Sequence, residues 1–243
     1  MTDPFFRTLA KDAASLYPVR ERYARHFASG KLLRDPAFSY ILRTGLVPSR
    51  ARVLDLGCGQ GVLAALLVAA EARHRRREWH PAWPAPPELA SFTGIDLMQR
   101  DVDRAMHVAA QAPAGAMRFV AADIRTASLD ACDVVVILDV LHYVDFEAQG
   151  VVLGRVRAAL NRGGVLLLRV ADESPSLRFR YTLAIDRLMM ALRGHRFERH
   201  YCKPLARWTA ELQALGFRVE STPMSAGTPF ANVLLVARYD GRG

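Results

Sequence analysis

VLDLGCGQG, residues 53–61, is the segment around which the rest of this sequence is arranged. Apolar residues lead up to the carboxylate of Asp55, and three glycines then follow at every second position. Residues 62–70 continue as an apolar run of helical character. This order predicts a buried parallel strand, a tight glycine turn and a helix N-terminus whose backbone N–H groups face a ligand. Glycine suits such a turn because it tolerates unusual φ/ψ and leaves room for close approach.

The spacing of these glycines argues against a dinucleotide site. The dinucleotide fingerprint places its third glycine five residues after the first, but that position is Val62 and the third glycine is Gly61. Asp55, two residues before Gly57, would also repel a pyrophosphate. A carboxylate at this point suits a ligand that carries a cationic ammonium group.

Length and composition limit the class of protein. A chain of 243 residues that is 51% hydrophobic can bury one core with an elaboration, or two small cores. Its three cysteines, Cys58, Cys132 and Cys202, form no C-x-x-C pair, so we expect neither a disulfide framework nor a metal site. No apolar run approaches membrane-spanning length. We therefore expect a protein of the reducing cytoplasm.

The net charge of +9 raises the question of a nucleic-acid partner. Only three of the 33 basic residues are lysines, and the rest are arginines in an alanine-rich chain. Such a skew is typical of the codon usage of a GC-rich genome rather than of a surface selected for phosphate. We therefore predict no nucleic-acid partner, although attraction to phosphate remains physically real.

Alternating strands and helices predict a Rossmann-like, doubly wound α/β sheet. A helical cap is expected at residues 1–48 and a ligand-binding domain at 49–243. Two insertions interrupt that domain, a proline-rich surface loop at 74–90 and a helical lid at 174–200. A turn is expected at 161–164. The predicted strands are residues 52–56, 91–95, 117–122, 132–138, 165–170, 217–221 and 232–238.

Four carboxylates lie at the ends of consecutive predicted strands: Asp55, Asp96, Asp123 and Asp139. The carboxyl ends of parallel strands share one edge of an open α/β sheet, and ligands bind at that edge. Each acid also has a local alternative. Asp123 could cap the following helix, and Asp139 could cap a short helix at Leu141-His142. The occurrence of four in succession favours a common ligand.

These motifs together resemble class I S-adenosylmethionine-dependent methyltransferases over most of residues 50–240. The segment 55–61 resembles the family's first motif, Gly94-Ile95-Asp96 the second, and Ala122-Asp123-Ile124 the third. Residues 133–143 resemble the fourth motif, and residues 160–168 and 216–217 match its later segments. The resemblance implies a seven-stranded sheet with an antiparallel last strand. It also implies S-adenosyl-L-methionine as cofactor and S-adenosyl-L-homocysteine as product.

The resemblance also implies residue roles. Asp96 would accept both ribose hydroxyls, and Asp123 would receive the adenine amino group while the next residue packs on the ring. Asp96 lies 35 residues after Gly61, where about 20 is usual, and the 74–90 insertion accounts for the excess. The implied cofactor-binding set is Asp55, Gly57, Cys58, Gly59, Gly61, Asp96, Leu97, Asp123, Ile124, Leu138 and Asp139.

The prediction of the methyl acceptor rests on the absence of sequence motifs for base methylation. The sequence contains no Asn/Asp-Pro-Pro-aromatic motif for exocyclic base nitrogens and no Pro-Cys after the fourth strand for covalent cytosine chemistry. We therefore expect a small-molecule acceptor, free or carrier-bound. His142, His200 and Tyr143 are the candidate catalytic residues, since imidazole is the natural base near neutral pH. His142 could instead only shape the cofactor pocket.

Acceptor contacts are expected from two segments outside the sheet, residues 1–45 and 174–200, which would roof the pocket. Their candidate residues are Tyr17, Tyr181 and His195, for which core packing or a surface position is the alternative. Residues 25–38 resemble small-molecule methyltransferases that accompany bacterial aryl-polyene pigment assembly. That resemblance implies a phenolic acceptor, methylated on oxygen or on the adjacent ring carbon.

Two other function classes stay open at this point. One is an RNA methyltransferase that uses the arginines at 75–77 and 193–199. The other is a cofactor-binding subunit that activates a partner and transfers no methyl group itself. The sequence leaves both a monomer and a homodimer open.

Overall fold

The computed structural model describes residues 3–173, 177–192, 200–225, 227–228 and 230–241. The helices are α1 (Pro4–Ser15), α2 (Arg22–Arg34), α3 (Pro36–Arg43), α4 (Val62–Arg75), α5 (Gln99–Ala109), α6 (Phe146–Ala159), α7 (Leu177–Leu192) and α8 (Leu205–Ala214). The strands are β1 (Arg52–Leu56), β2 (Ser91–Asp96), β3 (Met117–Ala121), β4 (Cys132–Leu138), β5 (Leu160–Ala171), β6 (Phe217–Pro223) and β7 (Asn232–Tyr239).

Within this described part of the chain, the strands form a seven-stranded sheet in the order β3-β2-β1-β4-β5-β7-β6. β7 runs antiparallel to both of its neighbours, β5 and β6. The predicted Rossmann-like fold with an antiparallel last strand is therefore confirmed. No helix among the described residues has the length and apolarity needed to cross a membrane.

Residues 1–128 form the first compact unit. β1 pairs with β2 and β2 with β3, all in parallel. Close packing fixes the middle strand, because a Cβ on Gly94 would lie 2.5 Å from the Phe119 ring and 2.9 Å from the Cys58 sulfur. The Phe119 and Cys58 side chains therefore leave no room for a side chain at residue 94.

The N-terminal helices belong to this first unit. The Asp3 carboxylate caps α1 by accepting from the Phe5 amide at 2.7 Å. Arg73 of α4 donates to Asp12 of α1 at 2.5 Å, which ties the two helices together. The expected division of the chain at residue 48 stays a prediction.

The 74–90 insertion is only partly a solvated loop. α4 extends into it as far as Arg75, and Arg75–Arg77 are exposed. Trp83, however, is 9% exposed and lies 5.3 Å from the Phe5 ring, between ring centroids. Burial of this aromatic side chain against α1 holds down a segment whose prolines prevent regular structure.

Residues 129–243 form the second compact unit, in which β4 pairs with β5, β5 with β7, and β7 with β6. β5 begins at Leu160, so the turn expected at 161–164 is wrong. The pairing register shifts between Cys132 and Val134, and the φ of Gly163 is 81°. A glycine in this left-handed conformation lets the extra residues bulge inside the strand instead of ending it.

The first half of α7 packs within the second unit. Phe179 joins Ala171 and Cys202 in a buried cluster, and the Ala231 amide donates to the Thr182 hydroxyl at 3.1 Å. Residues 174–176 and 193–199 of the expected lid lie outside the described residues.

Candidate active site

The glycine turn has the strained geometry that its sequence predicts. The φ angles of Gly57, Gly59 and Gly61 are 79°, 52° and 79°, all in the left-handed region that disfavours other residues. α4 begins directly after the turn, and no side chain caps its N-terminus. The amides of its first turn therefore present partial positive charge to an anionic group.

Asp96, the last residue of β2, is fixed in orientation by two backbone amides. The Gly59 amide donates to Oδ2 at 2.8 Å and the Met98 amide to Oδ1 at 2.9 Å. The hydrogen bond from Gly59 connects Asp96 directly to the glycine turn. Because a carboxylate can accept about four hydrogen bonds, this orientation is compatible with further hydroxyl donors.

Asp55 is a buried carboxyl group with 5% of its surface exposed. Burial, and then repulsion from Asp96, raise its pKa from 3.8 to about 8. Among the residues that the structure describes, no hydrogen bond or ion pair to its carboxyl group is found. The group therefore holds a proton near pH 7, and a cation placed beside it would favour its ionised form.

The Asp123 carboxylate accepts hydrogen bonds from Arg125, two residues later in the chain. The guanidinium of Arg125 donates from Nε to Oδ2 at 2.8 Å, and the Arg125 amide donates to Oδ1 at 2.9 Å. The side-chain hydrogen bond from Arg125 lowers the pKa of Asp123. Ile124 is buried, whereas Leu97 is 62% exposed, so the apolar surface open to a ring at this edge belongs to Leu97.

Tyr17 has no accessible surface. Its side chain is 0% exposed, and its hydroxyl donates to the Gln60 carbonyl oxygen at 2.9 Å. Burial raises the pKa of this phenol. A buried ring of this kind touches the glycine turn rather than an acceptor, so the expected acceptor contact is not supported.

In the second unit, Leu138 ends β4 and Asp139 follows it with a φ of 60°. Arg169 of β5, 1% exposed, donates from Nε to Asp139 Oδ1 at 2.7 Å, and its Nη2 donates to Oδ2. The short 3₁₀ turn Leu141–Tyr143 has no side-chain cap. Asp139 is therefore the partner of a buried arginine and not a helix cap.

The three candidate catalytic residues lie together in the second unit. The His142 and His200 rings are stacked at 5.6 Å between centroids with an interplanar angle of 18°. The Tyr143 ring lies 4.0 Å from that of His142 and 5.7 Å from that of His200. Two imidazoles and a phenol thus lie together after β4, and imidazole is the side chain that can take or give a proton near neutral pH.

Gln149 of α6 fixes the position of this cluster. It is 0% exposed, and its Nε2 donates to the carbonyl oxygens of Leu141, Val144 and Tyr201 at 2.9, 2.9 and 2.8 Å. The Tyr201 amide in turn donates to the His142 carbonyl at 2.9 Å. One buried amide thus holds the segment that carries His142 to the segment that carries His200.

The remaining acceptor candidates are less closely defined. Tyr181 of α7 is 44% exposed, and its ring lies 5.8 Å from that of Phe230. His195 lies outside the described residues.

Sequence reasoning missed four side chains that support these groups: Gln60, Arg125, Gln149 and Arg169. Arg169 left a signal, since it is a charge within the apolar run of the fifth strand. Arg125 follows Asp123 at the spacing of a turn. Gln60 and Gln149 are polar residues at unremarkable positions, and only their burial identifies them.

The first unit has the groups that a nucleoside with an amino-acid side arm requires. Asp96 accepts from hydroxyls, the α4 N-terminus favours a carboxylate, and Asp55 favours a cation. The chemistry of this donor set fits S-adenosyl-L-methionine.

Comparison with known proteins assigns the chain to a class. The model of the methyltransferase domain family matches residues 22–222. A carboxy-S-adenosyl-L-methionine synthase of Chromohalobacter salexigens is 30% identical over 140 residues, which cover 55% of this chain and 47% of that protein. The match thus spans about half the length of this relative.

Solved structures of methyltransferases share the fold. Mitomycin 7-O-methyltransferase matches 98% of this chain and 61% of its own, with a TM-score of 0.60 and 21% identity. Magnesium protoporphyrin IX methyltransferase of Synechocystis PCC 6803 matches 84% of this chain and 80% of its own, with a TM-score of 0.57 and 20% identity. Human N-acetylserotonin methyltransferase matches 98% of this chain and 59% of its own, with a TM-score of 0.59 and 16% identity.

Proposed function

The chain belongs to the methyltransferase domain family, and on this premise we propose that it transfers a methyl group from S-adenosyl-L-methionine to a small molecule. The acceptor is an aromatic, phenolic or acyl compound, methylated on oxygen or carbon. The cluster of His142, Tyr143 and His200 carries this proposal, because a base beside the acceptor generates the nucleophile. The small-molecule substrates named for the three solved methyltransferases also support it.

The cofactor would lie along the edge formed by the glycine turn and the β2 end. Asp96 would accept from the ribose hydroxyls, Asp55 would face the cationic end, and the α4 N-terminus would receive the carboxylate. Leu97, exposed beside Asp96, would pack against the adenine ring, and Asp123 would accept from its amino group. Gly57, Gly59 and Gly61 leave the close approach open.

The bound cofactor supplies a methyl group on a sulfonium, which any aligned nucleophile can accept. The residues of the chain then align the acceptor and remove its proton. His142 or His200 would take a phenolic proton, and the phenolate would be nucleophilic at its oxygen and at the adjacent ring carbon. Tyr143 would orient the acceptor by a hydrogen bond. Leu138 and Asp139 would border the transferred methyl group.

The proposal is tested by following labelled methyl from S-adenosyl-L-methionine into a panel of phenols and acyl compounds. With an accepted substrate, His142→Ala or His200→Ala should lower kcat by about 10²- to 10⁴-fold. Cofactor affinity, measured by calorimetry, should stay within about twofold. His26→Ala, an exposed change on α2, is the matched control and should leave kcat unchanged. If both variants retain the parent kcat, imidazole base catalysis is wrong.

A further inference from the structure

Residues 17–25, which we call the strap, connect α1 to the start of α2 and form hydrogen bonds with the glycine turn. The Tyr17 hydroxyl donates to the Gln60 main-chain oxygen at 2.9 Å, and the Gln60 side-chain Nε2 donates to the Ala24 oxygen at 2.8 Å. Both bonds are buried, and Gln60 is 3% exposed. The strap therefore holds one residue of the turn by its backbone and by its side chain.

Gln60 lies between Gly59 and Gly61, the residues of the turn with the most conformational freedom. Three glycines at alternate positions give the free turn many conformations, and fixing each backbone residue costs about 1–2 kcal/mol. Hydrogen bonds that already fix the turn in the ligand-free protein reduce the conformational entropy that cofactor binding must still remove. A hydrogen bond on residue 60 therefore affects the placement of Gly59, whose amide binds Asp96.

The strap also contacts the helix that follows Asp96. Arg104 of α5, 8% exposed, lies 3.5 Å from the Glu21 carboxylate and sits over the Tyr23 ring at 4.7 Å from its centroid. Arg25 stiffens the strap itself by donating from Nη1 to the Tyr17 carbonyl oxygen at 3.3 Å. The strap thus touches the glycine turn and the helix that follows Asp96 and Leu97 in the chain.

We propose that Tyr17 and Gln60 are positioning residues for cofactor binding, and that the strap holds the glycine turn in its receptive conformation. This inference rests on the proposed placement of the cofactor at that turn. The N-terminal segment, which the sequence predicts to cover the acceptor, thereby receives a second role in cofactor affinity. Neither residue touches the reacting atoms, because their contacts are with the main chain of the turn and strap.

Tyr17→Phe is the sharpest test, because it removes one hydroxyl and leaves a ring with no exposed surface in place. The dissociation constant for S-adenosyl-L-methionine should rise by about fivefold to tenfold, the equivalent of one buried hydrogen bond. At saturating cofactor, kcat and the acceptor KM should stay within about twofold. Amide hydrogen exchange should quicken at Gly59 and Gly61.

Tyr40→Phe is the matched control, since it makes the same chemical change on α3, outside the strap. It should leave the cofactor dissociation constant unchanged. Gln60→Met removes the amide donor to Ala24 at similar volume and should also weaken cofactor binding by about fivefold. A loss of melting temperature without a loss of affinity in both core variants would assign them a purely structural role.

The cofactor site and the positioning role predict different results. If the parent protein does not bind S-adenosyl-L-methionine, the proposed cofactor site is wrong. If the parent binds it and Tyr17→Phe and Gln60→Met bind it equally well, the cofactor site stands and the positioning role is overturned.

Discussion

Asp55→Asn tests the electrostatics of the glycine turn, because it removes an ionisable group and keeps the shape of a buried side chain. The pKa of Asp55 is raised from 3.8 to about 8 in the folded protein without ligand. Between these values the folded protein holds a proton that the unfolded chain has released. The free energy of unfolding therefore falls as pH rises, by about 1.4 kcal/mol per pH unit.

The magnitude follows from the pH interval. About three pH units separate 3.8 from pH 7, so the native state loses on the order of 4 kcal/mol of stability at pH 7 through this group. Asparagine does not ionise and avoids this loss. The variant without ligand should therefore be more stable than the parent at pH 7, although it lacks the carboxylate that faces the cofactor.

Urea unfolding without cofactor at several pH values between 5 and 9 measures this effect. The stability advantage of Asp55→Asn should be present at pH 5, grow with pH and level off above about pH 8. Asp103→Asn, on an exposed site of α5, is the control and should keep the pH dependence of the parent. A parent and Asp55→Asn variant with parallel pH profiles would refute the raised pKa and the role built on it.

Three further changes probe neighbouring groups. Asp96→Ala should weaken S-adenosyl-L-methionine binding by about 2–4 kcal/mol in calorimetry, through lost charge-assisted hydrogen bonds to the ribose; unchanged affinity would remove the ribose assignment. Arg125→Ala should strengthen cofactor binding about twofold to fivefold, because Asp123 no longer divides its oxygens between arginine and adenine; weaker binding would mean that Arg125 itself contacts the cofactor. Tyr181→Ala should raise the acceptor KM severalfold at constant cofactor affinity, and an unchanged acceptor KM would exclude its half-exposed ring from the pocket.

The elements built on periodicity were predictable from sequence. β4 follows from the continuous apolar run Val134–Leu138, because strands covered on both faces exclude polar residues. The glycine turn follows from its three glycines, since glycine adopts positive φ more readily than any other residue. Asp96 and Asp55 were found because each lies at or near the carboxyl end of a predicted strand.

Side-chain partnerships across long sequence separations were not predictable. Tyr17 and Gln60 are 43 positions apart, and nothing in either local pattern indicates their hydrogen bond. Core packing was one of the two readings of Tyr17 from sequence, but the sequence does not show which loop this ring covers. The start of β5 was missed for a related reason, because an Asn-Arg-Gly-Gly sequence is typical of turns, and only the pairing of Leu160 with Cys132 places the start of the strand before it.

The most direct test of the central claim is the destination of the methyl group. The protein is incubated with S-adenosyl-L-methionine labelled in its methyl group, a mixture of phenolic and acyl small molecules, and total RNA at physiological salt. We expect label in the small-molecule fraction, one S-adenosyl-L-homocysteine per methylated product, and loss of both in Asp96→Ala. Label that appears in RNA and not in the small molecules would contradict the account.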